Sequence, residues 1–247
     1  MDAAKSSPPK VFLTAEWHYL AMLNYEIDPA VLAPFVPADT ERDFWNGKTY
    51  ISLVGFLFQK TRVRGIPILF HRNFAEVNLR FYVRRKADGD WRRGVVFIKE
   101  LVPRRLIAFV ARKFFNENYY ALPMAHRIEK VPEGVRFASY FWWPNGRENS
   151  LKVTVRGHTQ PLADGSLQEF ITEHYWGYAR QPDGSTMEYR VEHPRWQIWE
   201  TQTAECHCEA ADLYGEPFRE IFNRPPASAF LADGSEVKVY QGLRLAT

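Results

Sequence analysis

Cysteine is scarce: the chain of 247 residues has two, Cys206 and Cys208, on either side of His207. No second Cys-x-x-Cys or His-x-x-x-His pair completes a zinc set around them, and a disulfide across one intervening residue would be strained. The pair reads as reduced thiols, and no metal or other cofactor is expected. Long apolar runs are missing too. No window reaches the roughly eighteen uninterrupted apolar residues of a membrane span, and the opening MDAAKSSPPK has no apolar stretch of the signal-peptide kind. A cytoplasmic chain with no membrane partner is the expectation. Charge of one sign is not in excess: 32 Lys and Arg stand against 29 Asp and Glu. The arginine pairs Arg84-Arg85, Arg92-Arg93 and Arg104-Arg105 are scattered rather than gathered on one face, which argues against a nucleic-acid partner. Gly-x-Ser-x-Gly, P-loop and dinucleotide fingerprints are absent.

Aromatic residues, at 15% of the chain, are plentiful, and they suit half-buried strand faces or the walls of a cavity for an organic ligand. Residues 1–10 read as a disordered tail, and 11–247 as one domain with no linker. Strands are expected over 11–25, 50–59, 74–84, 94–101, 135–143, 152–158, 167–178, 186–191, 197–208 and 236–245. Asn46-Gly47 between apolar arms marks a hairpin. Asp28-Pro29 starts a short helix that Pro37 closes. Residues 61–73 look like a loop or lid, and further helices are expected from Pro103 to Phe114 and over about 213–222. The apolar stripe of the first of these accounts for its basic outer face better than a membrane surface does. Many antiparallel strands with few short helices make a mainly β fold whose sheet curves or closes into a barrel, leaving room for an interior cavity.

The strand Phe74–Arg84 alternates cleanly, with Glu76, Asn78, Arg80 and Tyr82 on one face and Val77, Leu79, Phe81 and Val83 on the other. Facing inward, that row offers an acid/base, an amide, a carboxylate-binding fork and a phenol. By pattern alone, a solvent-facing row with Glu76 paired to arginine is the simpler account. His174 alternates with Thr172 and Trp176 on an expected barrel strand, where a core histidine is the commoner outcome.

A resemblance adds to this. Phe74-Ala75-Glu76, the strand after it and Arg112 are similar to the Tyr-x-Glu strand, second strand and Arg-Glu helix start of the acetoacetate decarboxylases. The early helix before Pro37 and the closing SAFLADGSEVKVYQGLRL look like that superfamily as well. More closely, EWHYLAMLNYEIDPAVLAPFVP, ISLVGFLF, FHRNFAEVNLRFYV and ITEHYWGY together resemble its YqjF-like family, the domain of unknown function 2071, over nearly the whole chain. The resemblance implies a cone-shaped antiparallel β-barrel around a solvent-poor cavity. It also implies catalytic-type positions at Glu76, Arg112 and Tyr119, with Tyr120 as a ligand contact; the strand face adds Asn78, Arg80 and Tyr82 as candidate ligand contacts, and His174 is a further one. The chain departs where it matters most. Counting on from Arg112, the two lysines of the decarboxylases fall at Tyr119 and Tyr120, and tyrosine forms no imine. Schiff-base decarboxylation is therefore not expected. Two readings stay open: a protein that binds a small carboxylate or aromatic ligand, and a lyase- or hydratase-type enzyme on a small oxo or hydroxy acid with Glu76 as acid/base. Self-association is left open.

Overall fold

A computed structural model describes residues 10–68, 72–104, 118–132 and 134–245. Arg112, His71, the expected tail apart from Lys10, and the expected helix beyond Arg104 lie outside the described residues. The strands are β1 (Val11–Ile27), β2 (Glu41–Arg42), β3 (Thr49–Val63), β4 (Ile66–Pro67), β5 (Phe74–Ala87), β6 (Asp90–Val102) and β7 (Tyr119–Ala121) in the first half. They continue as β8 (Met124–Val131), β9 (Gly134–Trp142), β10 (Asn149–Pro161), β11 (Trp176–Arg180), β12 (Thr186–Glu192), β13 (Gln197–His207), β14 (Ser228–Tyr240) and β15 (Leu243–Arg244). Three short helices are described: α1 (Pro29–Leu32), α2 (Leu167–Thr172) and α3 (Ala210–Tyr214).

Hydrogen bonding runs β12-β11-β6-β5-β3-β1-β14, and a further pairing of β12 with β14 closes the ring. The fold is mainly β, as expected, and the ring is that of a cone-shaped barrel. From β14 the chain of pairings continues through β13, β10, β9 and β8. That arm folds back over the outside of β1 and β3, where the buried Tyr140 lies against Gly55 and donates its hydroxyl to the Tyr19 carbonyl at 2.7 Å. Two cores result. One, including Leu53, Val77, Phe81, Tyr140 and Leu151, lies between the ring and the arm. The other, including Tyr50, Val54, Phe56, Phe58 and Phe230, lines the inside of the ring. Alternation along β3 supplies both, so this strand is buried on both faces.

Two irregularities decide what points inward. Tyr19, with φ of 56°, sits at a register shift between β1 and β3, so the inward set changes from odd (Leu13, Trp17) to even (Leu20, Met22). On β6, Leu79 pairs with Lys99 but Arg80 pairs with Phe97, leaving Ile98 as an extra residue. Both Phe97 and Glu100 then face the interior, while Lys99 turns outward.

Several sequence expectations are corrected. Residues 167–178 are not one strand: α2 precedes β11, because Ser166 Oγ accepts from Glu169 N at 3.1 Å and the Glu169 carboxylate reaches back to Gly165 N at 2.6 Å. The Ser-x-x-Glu spacing of a capping box was there to be read. Residues 61–73 are not simply a loop, since β3 runs to Val63 and turns through Arg64 and Gly65 (φ 50° and 80°) into β4. The expected helix over 213–222 is shorter and broken. It ends at Tyr214, and a single 3₁₀ turn, Glu216–Phe218, follows Gly215 at φ 101° and contains Pro217. The last long strand begins at Ser228 rather than Glu236 and passes through Gly234 at φ 85°, where a Cβ would strike the Trp17 carbonyl. Cys206 and Cys208 pack against the outer core, and burial pushes the Cys206 thiol up to about 12. Among the described residues no helix is long and apolar enough to cross a membrane.

The seam of the ring is short. β6 and β11 share two residue pairs, as do β12 and β14. Glu188 on β12, 3% exposed, reinforces it: Arg92 donates to it at 2.5 Å, Arg85 at 3.2 Å and the Tyr178 hydroxyl at 3.1 Å. Removing one member of a buried charge group strands the others. Glu188→Ala should therefore lower the unfolding free energy by about 3–5 kcal/mol in a urea titration; a loss under about 1 kcal/mol, the range of a surface pair, would refute this role.

Candidate functional site

The inside of the ring holds a cavity of about 140 Å³. An apolar hole of about that volume accommodates a benzene-sized molecule. Its walls are mostly aromatic and aliphatic, with Trp17, Phe56, Phe58, Phe74, Trp176 and Trp196 prominent. Polar groups enter from β5, the β6–β7 pair and the loop after α2, and also from β3 (Thr61), β12 (Tyr189) and the residue after it (His193).

From β5 come Glu76, Asn78 and Arg80, all lining the cavity. Glu76 is 2% exposed; Asn78 Nδ2 donates to its Oε1 at 3.0 Å and the Tyr119 hydroxyl to its Oε2 at 3.2 Å. With Nδ2 so committed, Asn78 Oδ1 is buried with no partner among the described residues. Arg80 is half-buried; its Nη2 lies 4.0 Å from the Met22 sulfur and its guanidinium 6.0 Å from the Tyr82 ring. No carboxylate among the described residues pairs with it, and its Nε is buried without a partner there.

Tyr82, next on the same face, does not line the cavity with a free phenol. Ser52 Oγ gives its one proton to Asn24 Oδ1 at 2.6 Å, so the Tyr82 hydroxyl, 2.5 Å from Ser52 Oγ, must be a donor to it. Asn24 Nδ2 passes the chain on to Ser228 Oγ at 3.0 Å. What Tyr82 offers the site is its ring, 4.7 Å from the ring of His174.

The β6–β7 pair brings Glu100 and Tyr119 side by side, in register on parallel strands. Both are buried and line the cavity. Strand alternation sends Tyr120 the other way: it is 48% exposed and lies outside, with Lys99 Nζ 4.3 Å from its ring. Of the two tyrosines at the lysine positions, one faces in and one faces out. Among the described residues no lysine lines the cavity. Arg112 lies outside the described residues, so its placement is not part of the site drawn here. Glu100 escapes sequence reading, because regular alternation from Val95 and Phe97 would turn Lys99 inward and Glu100 outward. The extra residue Ile98 reverses that, and nothing in the local sequence announces it.

His174 enters from the loop after α2, not from a strand, with its backbone N–H on the Thr172 carbonyl at 3.0 Å. Its side chain is 1% exposed, and Nε2 lies 3.2 Å from Asp43 Oδ2. Asp43 is fixed in turn by its N–H to the Tyr82 carbonyl at 3.0 Å and by Arg93 Nε on Oδ2 at 2.7 Å. Burial alone would raise the Asp43 carboxyl, but the hydrogen bonds from His174 and Arg93 outweigh it and hold the group below its ordinary range. An ionised carboxylate only accepts, so the His174 proton sits on Nε2. Burial pushes the imidazole pKa down to about 4, against the pull of Asp43, so the ring is neutral near pH 7. Nδ1, buried and without a partner among the described residues, is then a lone-pair acceptor. His193, also lining the cavity and stacked on Trp196 at 4.1 Å, is a residue the sequence did not single out.

With this geometry in place, comparison with known proteins identifies the family. The model of the DUF2071 family, described as "Uncharacterized conserved protein", matches residues 14–236. The chain belongs to that family. It is 28% identical over 192 residues to the "Uncharacterized protein YqjF" of Bacillus subtilis (strain 168), covering 76% of this chain and 74% of that protein. Among solved structures it is similar to the enduracididine biosynthesis enzyme MppR complexed with pyruvate (TM-score 0.66, 14% identity, 98% of this chain and 93% of that one). An acetoacetate decarboxylase-like enzyme from Sphingomonas wittichii RW1 matches with TM-score 0.65, 14% identity and 99% of each chain. The acetoacetate decarboxylase of Legionella pneumophila matches with TM-score 0.66 and 12% identity, over 100% of this chain and 92% of that one. At these identities the structural matches show the shared fold alone. The DUF2071 chain thus has the acetoacetate decarboxylase-like fold.

The displaced histidine has a measurable consequence. Its folded pKa of about 4 lies below the free value of 6.5, so as pH falls the unfolded chain takes this proton first. The stability this neutral imidazole contributes is complete above pH 6.5 and is lost as pH falls toward about 4. In total it amounts to about 3 kcal/mol at 1.36 kcal/mol per pKa unit. Unfolding titrations of the wild type and His174→Phe across that range should diverge accordingly; a difference that does not change with pH would contradict the assignment.

Proposed function

We propose that this DUF2071 chain binds a small carboxylate with an apolar or aromatic body inside the ring. The observation that carries the reading is Arg80: a half-buried guanidinium at the wall of an apolar cavity, with no carboxylate partner among the described residues. A buried cation without a counter-charge is costly, and a planar five-donor fork is shaped for a carboxylate. The aromatic walls match an apolar body, and the volume limits it to a few heavy atoms beyond the carboxylate. MppR, which shares the fold, is complexed with pyruvate, itself a small carboxylate, and this supports the reading without naming this chain's ligand. Thermal-shift titration with 3-methylbutanoate, phenylacetate and their uncharged amides tests it. At about a hundredfold excess over Kd, a bound acid stabilises by about 2.7 kcal/mol, a shift of roughly 5–10 °C for a chain of this size. The amides should give little, and Arg80→Met should weaken acid binding at least about tenfold, the loss of one charge-assisted contact. If neither acid shifts the melting temperature, or the amides do as well as the acids, the proposal is wrong.

A second reading rests on Glu76, a buried cavity carboxylate within hydrogen-bond reach of Tyr119, arranged to exchange a proton with a bound acid. Under it, any lyase- or hydratase-type turnover found by screening small oxo and hydroxy acids should fall at least about hundredfold in Glu76→Gln, the contribution of one general acid–base group. Turnover unchanged by that substitution would dismiss it.

A further inference from the structure

The cavity has a second recognition element, and it says what the carboxylate's neighbour must be. His174 Nε2 is tied to Asp43 Oδ2 at 3.2 Å, Asp43 is held by Arg93 at 2.7 Å, and Nδ1 is left buried at the cavity wall without a partner among the described residues. Arg93 is fixed further by the face of Phe170, 4.7 Å from its guanidinium carbon. The imidazole cannot turn to present its proton without breaking the Asp43 bond. Its ring is also packed against Tyr82 at 4.7 Å and Phe170 at 5.1 Å. That nitrogen is therefore a fixed acceptor on a residue that lines the cavity. It lies close to the cation: the Tyr82 ring that His174 packs on is the one Arg80 approaches at 6.0 Å. A buried acceptor left empty is costly, and a site built around one discriminates strongly against analogues that cannot donate to it.

We infer that the ligand is a hydroxy acid, whose carboxylate meets Arg80 and whose hydroxyl, on a carbon close to the carboxylate, donates to Nδ1 of His174. The inference rests on the carboxylate reading above and narrows it. An oxo acid places a carbonyl oxygen, a second acceptor, against the Nδ1 lone pair and is disfavoured. A simple acid leaves Nδ1 unpaired. Asn78 Oδ1, another unpartnered acceptor among the described cavity residues, is the alternative reader of the same hydroxyl. Asp43 acts through His174 and is a positioning residue.

Matched triplets test the inference by isothermal titration: mandelate, phenylglyoxylate and phenylacetate, and 2-hydroxy-3-methylbutanoate, 3-methyl-2-oxobutanoate and 3-methylbutanoate. The wild type should prefer each hydroxy acid over its two analogues by about tenfold or more, the value of one buried hydrogen bond. In His174→Phe, which keeps an aromatic ring against Tyr82, the preference should fall below about threefold. Imidazole ¹⁵N spectra of the wild type need no variant. Nδ1 of His174 should start as the unprotonated nitrogen and shift on adding a hydroxy acid but not the simple acid; Asp43→Asn should mix the tautomers and reduce the preference. Equal affinity across a triplet, or a preference that survives His174→Phe, overturns the inference while leaving the carboxylate reading standing. Failure of all six acids to bind overturns both.

Discussion

A strand ring that closes on itself leaves its interior polar groups no solvent to turn to. Every inward donor or acceptor must find a partner across the ring or wait for something to fill the hollow. Most here find one. Tyr82, Ser52, Asn24 and Ser228 join β5, β3, β1 and β14 through successive hydrogen bonds, and Glu76 is held by Asn78 and Tyr119. Among the described residues, the unmatched remainder at the cavity includes Arg80 Nε, Asn78 Oδ1 and His174 Nδ1. Such a remainder is costly to an empty protein, so it is where ligand chemistry can be read.

The contents of that interior depend on breaks in strand parity as much as on sequence alternation. With a regular β6, Lys99 would enter the cavity beside Glu76. The extra residue Ile98 instead sends Lys99 outward to the Leu213 carbonyl and turns Glu100 in. The same device at Tyr19 lets one strand present Trp17 and then Leu20 to the cavity. Outside the ring, the absence of a side chain at Gly55 lets Tyr140 pack flat on β3, which presses the folded-back arm against the wall carrying the site.

Much of this was legible in the sequence. The alternation of β5 placed Glu76, Asn78 and Arg80 on one face, and the Asn46-Gly47 turn appears with both residues at positive φ (48° and 75°). Turn chemistry and period-two patterning are local, and local signals survive folding. Some misses depend on register between strands distant in sequence, and others on local packing or capping. Glu100 needs the bulge opposite Leu79, and His193 needs the packing of Trp196. His174 was placed on a strand because its apolar neighbours alternate, although Ser166 and Glu169 already carried the helix cap. Tyr82 was expected to offer a phenol, but its proton is committed to Ser52, a residue thirty positions earlier that only register brings near.

A neutral tyrosine beside Glu76 sets the electrostatics of that end of the cavity. A lysine beside Glu76 would form a buried ion pair and demand further hydrogen bonds to offset its desolvation. Tyr119 meets the same carboxylate with a neutral donor. The positive charge of the cavity wall, among the described residues, is then concentrated at Arg80, four residues along the strand from Glu76. At about 3.4 Å per residue the two lie roughly 14 Å apart along β5. The separation divides the site by sign. Under the proposed reading, the ligand's carboxylate is drawn toward Arg80. On that reading, the ligand's orientation follows from where the charge sits, which apolar walls alone would not set.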